Sequence, residues 1–144
     1  MKNSLKTLSK SLILLAMLLV ATSCDRSDDI NAIFREHTWY LTYVQEGDIK
    51  RIPKEKQLYS IVFKNDKFTA TMPNGSMLKG TWSADGGTNH SFYCRDIEKD
   101  GKITGDTIAE KMYNILSNAA NYEGDTNWLQ IKQNKKTYMQ FYNK

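Results

Sequence analysis

Two cysteines, two histidines and 16 acids are the residues of this 144-residue chain best suited to proton transfer, nucleophilic attack or metal binding. Their spacing argues against each of these. Asp96, Glu98, Asp100 and Gly101 match positions one, three, five and six of a twelve-residue calcium loop, and Ile103 matches position eight. Position twelve should be a bidentate Glu and is Thr107, and a strand pattern rather than a helix leads into the segment. The expectation is a turn at Lys99-Asp100-Gly101 and no metal. His90 and Cys94 fall on one face of an expected strand, but zinc catalysis needs three protein ligands, and no third accompanies them. His37 is the other histidine. The chain has no GxSxG element and no glycine-rich loop between a strand and a helix, so neither a serine hydrolase nor a nucleotide site is expected. Sixteen acids, any two of which could be proposed, single out no glycosidase pair. No catalytic residue and no cofactor is expected.

The remaining cysteine has a different setting. Lys2, Lys6 and Lys10 precede the uncharged run Leu12–Ala21 (LILLAMLLVA), and the small residues Ala21, Thr22 and Ser23 follow. Basic, apolar, small is the order of a secretory signal peptide, and the run is too short for a lasting transmembrane helix, which needs about 20 apolar residues. Ala21-Thr22-Ser23-Cys24 is similar to a lipobox, at which the chain is cut before the cysteine and the cysteine is acylated, with Ala21 where Leu is usual. Acylation of Cys24 leaves Cys94 without a partner in the chain, which excludes a disulfide and makes Cys94 a small core residue. Ser27-Asp28-Asp29 just after it resembles the acidic export signal that places some gram-negative lipoproteins on the cell surface. The expected organisation is a signal peptide at 1–23, a lipidated tether at 24–36 and a domain at 37–144. The expected location is the outer membrane, on its cell-surface side.

Charge points the same way. The formal net charge is +4, but residues 1–23 hold three lysines and no acid. Without them 17 basic and 16 acidic side chains remain, a balance of +1. Nucleic-acid binding needs a basic face that survives processing, so it is not expected.

The elements that must position any site are mostly strands. Ile30 to Glu36 has room for one helical turn. In 37–44, period two puts Trp39, Leu41 and Tyr43 on one face, and Tyr40 and Val44 on the other. Tyr59, Ile61 and Phe63 alternate, as do Phe68, Ala70 and Met72; a two-residue turn at Asn65-Asp66 sets Phe63 opposite Phe68. A three-residue loop at Asn74-Gly75-Ser76, with Gly75 left-handed, sets Phe68 opposite Trp82 and Gly80 opposite Ala70. A strand at 90–98 follows. Thr107 and Glu110 form a capping-box pattern for a helix over 107–120, whose apolar stripe is Ile108, Met112, Ile115, Leu116 and Ala119. Strands at 127–132 and 137–143 pair Leu129 with Phe141 and Ile131 with Met139 across a loop at 134–136. The fold class is α+β, mainly β: a curved antiparallel sheet or partial barrel of about seven strands, with one helix before the last two. Tyr40, Phe92, Tyr138 and Tyr142 fall on the outer face, where aromatic rings can meet a sugar, a peptide or a partner.

The order Trp39-x-Leu41, Phe63-x-x-Asp66-x-Phe68, Asn74-Gly75 with Gly80-Thr81-Trp82, Ala109-Glu110 with Tyr113-x-x-Leu116, then Trp128-Leu129-x-Ile131 with Tyr138-x-x-Phe141 resembles the lipocalin-like domains of outer-membrane lipoproteins. It is similar, second, to the META domain of HslJ-type proteins, whose GCN element is missing here. The resemblance implies a lipocalin-like sheet or partial barrel with one helix and brings no catalytic residue. The function expected is a non-enzymatic, membrane-anchored lipoprotein with a small domain that binds an apolar small molecule or a protein. The alternative is an inhibitor or envelope-stress protein acting on another enzyme.

Overall fold

The computed structural model describes residues 26–35 and 37–144. The expected signal peptide at 1–23 and Cys24 lie outside them.

The hairpin around Asn65-Asp66 shows how local chemistry sets the register. β3 (Ser60–Lys64) and β4 (Lys67–Thr71) pair with Phe63 opposite Phe68, as expected. Asn65 takes a left-handed φ of 54°, a conformation its short polar side chain tolerates. β5 (Met77–Asp85) follows across a three-residue loop, placed one residue earlier than expected: Pro73-Asn74-Gly75. Pro73 has no N–H for the ladder, whereas Ser76 joins it and accepts from the Met72 amide at 2.9 Å. Gly75 is left-handed at φ 83°, as expected. The one-residue displacement sets Phe68 opposite Gly80 instead of Trp82, and Ala70 opposite Leu78 instead of Gly80. The same faces still meet, because the register moved by two. Gly80 is a point of close approach: a Cβ there would stand 2.7 Å from the Arg95 carbonyl oxygen and 2.8 Å from Phe68 Cε1.

The other strands are β1 (Thr38–Glu46), β2 (Ile49–Arg51), β6 (Ser91–Asp100), β7 (Asn121–Gly124), β8 (Trp128–Asn134) and β9 (Thr137–Asn143). All pairings are antiparallel, in the order β2-β1-β3-β4-β5-β6-β7-β8-β9, and β1 also pairs with β9. The curved, mainly β sheet therefore closes into a barrel, with β2 as a short flap on β1. The nine described strands exceed the expected seven by β2 and β7, each too short to show alternation. A register shift between Leu41 and Tyr43 makes Thr42 a bulge, so Val44 turns inward and Tyr43 outward, the reverse of a straight strand. Leu129 pairs with Phe141 and Ile131 with Met139, as expected.

Two helices complete the described fold. α2 (Thr107–Ser117) precedes three strands rather than two, since its expected last turn gives way to β7. Its N-cap is Asp106, one residue before the expected Thr107: the carboxylate accepts from the Ala109 amide at 3.0 Å. Ala109, Met112, Ile115 and Leu116 are buried against β6, β8, β9 and β1. α1 (Arg26–Phe34) occupies most of the expected tether. It delivers Phe34, fully buried, into the mouth of the barrel. The Phe34 ring lies 4.9–5.3 Å from those of Phe63, Trp82, Phe92 and Tyr122. Trp39 Nε1 donates to the Ile33 carbonyl at 3.1 Å, and the rings of Phe63, Trp82 and Phe92 also touch one another. Phe92, expected on the outer face, is interior because it sits opposite Ala84 on the same face as Trp82. Side chains thus fill the interior.

Replacing a fully buried Phe by Ala costs about 3–5 kcal/mol. Phe34→Ala is expected to destabilise the protein by about that amount in urea unfolding, where a residue of a solvated tether would change stability by less than about 0.5 kcal/mol.

Candidate functional site

The residues singled out for chemistry are held in structural roles. His37 Nε2 lies 2.8 Å from the Ala32 carbonyl, and its Nδ1 lies 2.9 Å from the Asn143 amide. The amide donates to Nδ1 and Nε2–H donates to the carbonyl, which joins α1 to β9. His90, left-handed at φ 44°, stacks on Tyr122 with centroids 5.1 Å apart. Cys94, opposite Trp82, is half-buried against the core, and burial pushes its thiol up to about 12. Such a thiol is protonated and a poor nucleophile at neutral pH. Asp96, Glu98 and Asp100 lie along β6, and Asp100 accepts from Lys79 Nζ at 2.8 Å. Among the described residues, no three His, Cys, Asp or Glu converge as metal ligands would. Ser27, Asp28 and Asp29 fall in the first turns of α1.

The outer aromatic face extends further than expected. Tyr40, Tyr138 and Tyr142 are there, joined by Tyr43 through the Thr42 bulge and by Trp128, 37% exposed. The rings mostly engage each other. Tyr40 and Tyr142 lie 5.7 Å apart, and Tyr43 and Tyr138 lie 6.1 Å apart. Lys50 Nζ stands 4.2 Å over Tyr43, and Gln130 donates to Gln140 at 2.7 Å between the rows. Cross-strand packing accounts for this face.

The two mouths of the barrel differ more. At the mouth next to α1, a shallow groove of about 330 Å³ lies between Asp29, Ala32 and Ile33 of the helix and His90, Tyr122 and Asp125. At the far mouth a groove of about 700 Å³ opens between the β2–β3 connection and the loop before α2. Its floor is Leu58, Tyr59 and Ile108; its rims carry Ile52 and Lys54 on one side and Asn74 and Lys102 on the other. Tyr59 is buried, and its hydroxyl donates to both oxygens of Asp106 at 2.9 Å. Its pKa is raised by burial and then by that hydrogen bond. The N-cap carboxylate is therefore engaged twice, by the Ala109 amide and by Tyr59. Sequence patterns missed this groove, because its residues come from three separate connections.

Barrel and groove define a class: a small closed antiparallel β-barrel with a packed interior and an open outer mouth. The chain belongs to the family described as Domain of unknown function (DUF4847), whose model matches residues 25–143. The fold is similar to the solved structure of a DUF4847 family protein from Bacteroides vulgatus ATCC 8482, with a TM-score of 0.61 and 24% identity over 78% of this chain and 96% of that one. No curated protein matches the chain. What is shown is this family and a β-rich fold; lipocalin or META kinship is not among the findings.

The raised thiol has a pH consequence. Its pKa in the fold is about 12, against 9.0 in an unperturbed chain, and Tyr43, Tyr59 and Tyr122 are raised from 10.0. The unfolded chain therefore loses these protons first, and stability falls as pH rises above about 9. Urea midpoints measured from about pH 7 to 11 are expected to decline through that window, with a shallower decline in Cys94→Ala. Iodoacetamide is expected to leave Cys94 unmodified at pH 7.5 until urea unfolds the chain; rapid labelling of the folded protein would contradict the thiol's state.

Proposed function

We propose that the protein is a lipid-anchored binding module of the outer membrane, displayed at the cell surface, and not an enzyme. The observation that carries this reading is the order of Lys2, Lys6 and Lys10, the apolar run 12–21, and Ala21-Thr22-Ser23 directly before Cys24. Acylation of Cys24 supplies the anchor, and each buried methylene contributes about 0.8 kcal/mol to holding it. Ser27-Asp28-Asp29 is the export signal in this reading. α1 starts two residues after Cys24, so the anchor meets the barrel at the mouth that Phe34 fills. The far mouth then faces away from the bilayer. Among the described residues no helix is long and apolar enough to cross a membrane.

The non-enzymatic half rests on the roles already taken. His37 and Asp106 are tied into hydrogen bonds, His90 is stacked, and the Cys94 thiol is held protonated. A lipocalin-like kinship is supported by the closed antiparallel barrel, but side chains occupy the interior where a lipocalin-type ligand would sit. Binding therefore falls to the outer surface and the far mouth.

Cells fed labelled palmitate are expected to label the wild-type chain and leave Cys24→Ala unlabelled and soluble. A soluble, unlabelled wild-type chain would end the anchoring reading. Protease added to intact cells is expected to digest the wild type and spare a Ser27→Ala, Asp28→Ala, Asp29→Ala variant retained on the periplasmic side.

A further inference from the structure

We propose that the groove at the far mouth binds a single-chain anionic amphiphile, an apolar tail bearing a carboxylate or phosphate, with the Ile52–Leu58 connection closing over it. The proposal rests on the protein being a binding module but not on its lipid anchor.

Size and lining favour such a ligand. The groove measures about 700 Å³, within the range of small-molecule sites. Its floor is apolar, and Ile52, 66% exposed on the rim, is a large aliphatic side chain held in water. Burying apolar area is favourable by about 25 cal/mol per Å², so a tail laid over Ile52, Leu58 and Ile108 removes exposure on both sides. A fully polar ligand would leave that floor unused.

Charge selects the head group. Lys54 and Lys102 both line the groove, from different connections, and neither has a carboxylate within 4.0 Å among the described residues. The only acid lining the groove is Asp106, and its carboxylate already accepts from Tyr59 and from the Ala109 amide. The cations are thus free to meet an anion. Their exposure makes the attraction salt-dependent.

The two walls differ in rigidity. On one side the Lys102 carbonyl accepts from Asn74 Nδ2 at 2.9 Å and from Ser76 Oγ at 3.0 Å. Gly101 sits left-handed at φ 94°, so close that a Cβ would stand 2.6 Å from Ser76 Oγ. On the other side, among the described residues, no side chain from Ile52 to Leu58 makes a hydrogen bond to the protein. A second groove of about 400 Å³, lined by Ile52, Pro53, Glu55, Lys56 and Tyr142, runs under the outer flank of this connection. With space on both flanks and Ile52 shared between them, the connection can shift toward the fixed wall and carry Ile52 and Lys54 onto a ligand.

The test uses the processed chain from residue 24 carrying Cys24→Ala, with folding checked by circular dichroism. Dodecyl phosphate, laurate and uncharged dodecanol are titrated below their micelle concentrations and followed by calorimetry. Saturable one-to-one binding of both anions is expected, with dodecanol about tenfold weaker or more. Lys54→Gln with Lys102→Gln is expected to weaken the anions about five- to tenfold, consistent with loss of two exposed ion pairs, and to leave dodecanol unchanged. Lys135→Gln with Lys136→Gln, on the β8–β9 turn, is expected to change nothing. Equal binding of dodecanol and dodecyl phosphate, or unchanged anion binding in the Lys54/Lys102 variant, would overturn the proposal. So would inorganic phosphate competing as well as dodecyl phosphate, since the tail would then contribute nothing. Absence of all binding in the folded Cys24→Ala protein would overturn the ligand class and leave the anchor reading untouched.

Discussion

The thin seam between β6 and β7 is the constraint around which the rest of the molecule is arranged. These strands share a single residue pair, Ser91 with Asn121, flanked by bonds from the Phe92 amide to the Ala120 carbonyl and from the Tyr122 amide to the His90 carbonyl. Two such bonds contribute only about 2 kcal/mol net, at about 1 kcal/mol each. Below the seam β6 runs on to Asp100 with no strand on its β7 side, and the gap is closed by α2, which buries Met112, Ile115 and Leu116 against β6, β8, β9 and β1. Above it Phe34 contacts Phe92 on one side and Tyr122 on the other. A barrel that hydrogen bonds join weakly at one place is thus held shut there by aromatic and aliphatic packing. This explains why a segment so close to the N-terminal cysteine is part of the core.

The pattern of hits and misses in the sequence reading follows from the same physics. Period two survives in β3, β4, β8 and β9, where Phe63 meets Phe68 and Leu129 meets Phe141, because each strand is straight and the hairpins are local. It fails in β1 at Thr42, since a bulge is a property of pairing with β9, about a hundred residues away in the chain. It places the β4–β5 loop one residue late because only the buried bonds of Ser76 to Lys102 draw that serine into the ladder. α1 was unreadable for a different reason. Among its described side chains only Phe34 is fully buried, and one apolar anchor makes no period. The candidate groove was unreadable because no single stretch contains it: Leu58, Asn74, Lys102 and Ile108 meet only once the barrel has closed.

What looked like chemistry in the sequence became architecture. Asp106 is the clearest case. Asp-Thr-Ile-Ala-Glu reads as a helix start, and the structure uses the Asp to cap α2 and also to fix the buried Tyr59 hydroxyl. An unpaired phenol at that depth would cost about 1–3 kcal/mol, so one carboxylate satisfies the helix terminus and the barrel floor together. His37 does comparable work at the opposite mouth, joining α1 to the C-terminal strand. Side chains committed in this way are poorly placed to change partners during a reaction.

The unequal mouths have a topological origin. β3 pairs with β1 only over Thr38–Tyr40, and β2 takes the same edge of β1 over Val44–Glu46. The Thr42 bulge lies between them, where β1 twists most and neither neighbour can pair. The chain leaving β2 must therefore swing away from the wall before it returns as β3, and Pro53 keeps it from adding to the ladder. That detour is the Ile52–Leu58 connection. The groove is thus not an accident of loose loops: it is the space left when one edge of β1 is divided between two strands. The opposite mouth has no such division, and there Phe34 fills the barrel and leaves smaller grooves, of about 330 and 570 Å³, beside it. A sheet closed this way keeps its largest groove at one end and packs α1 at the other.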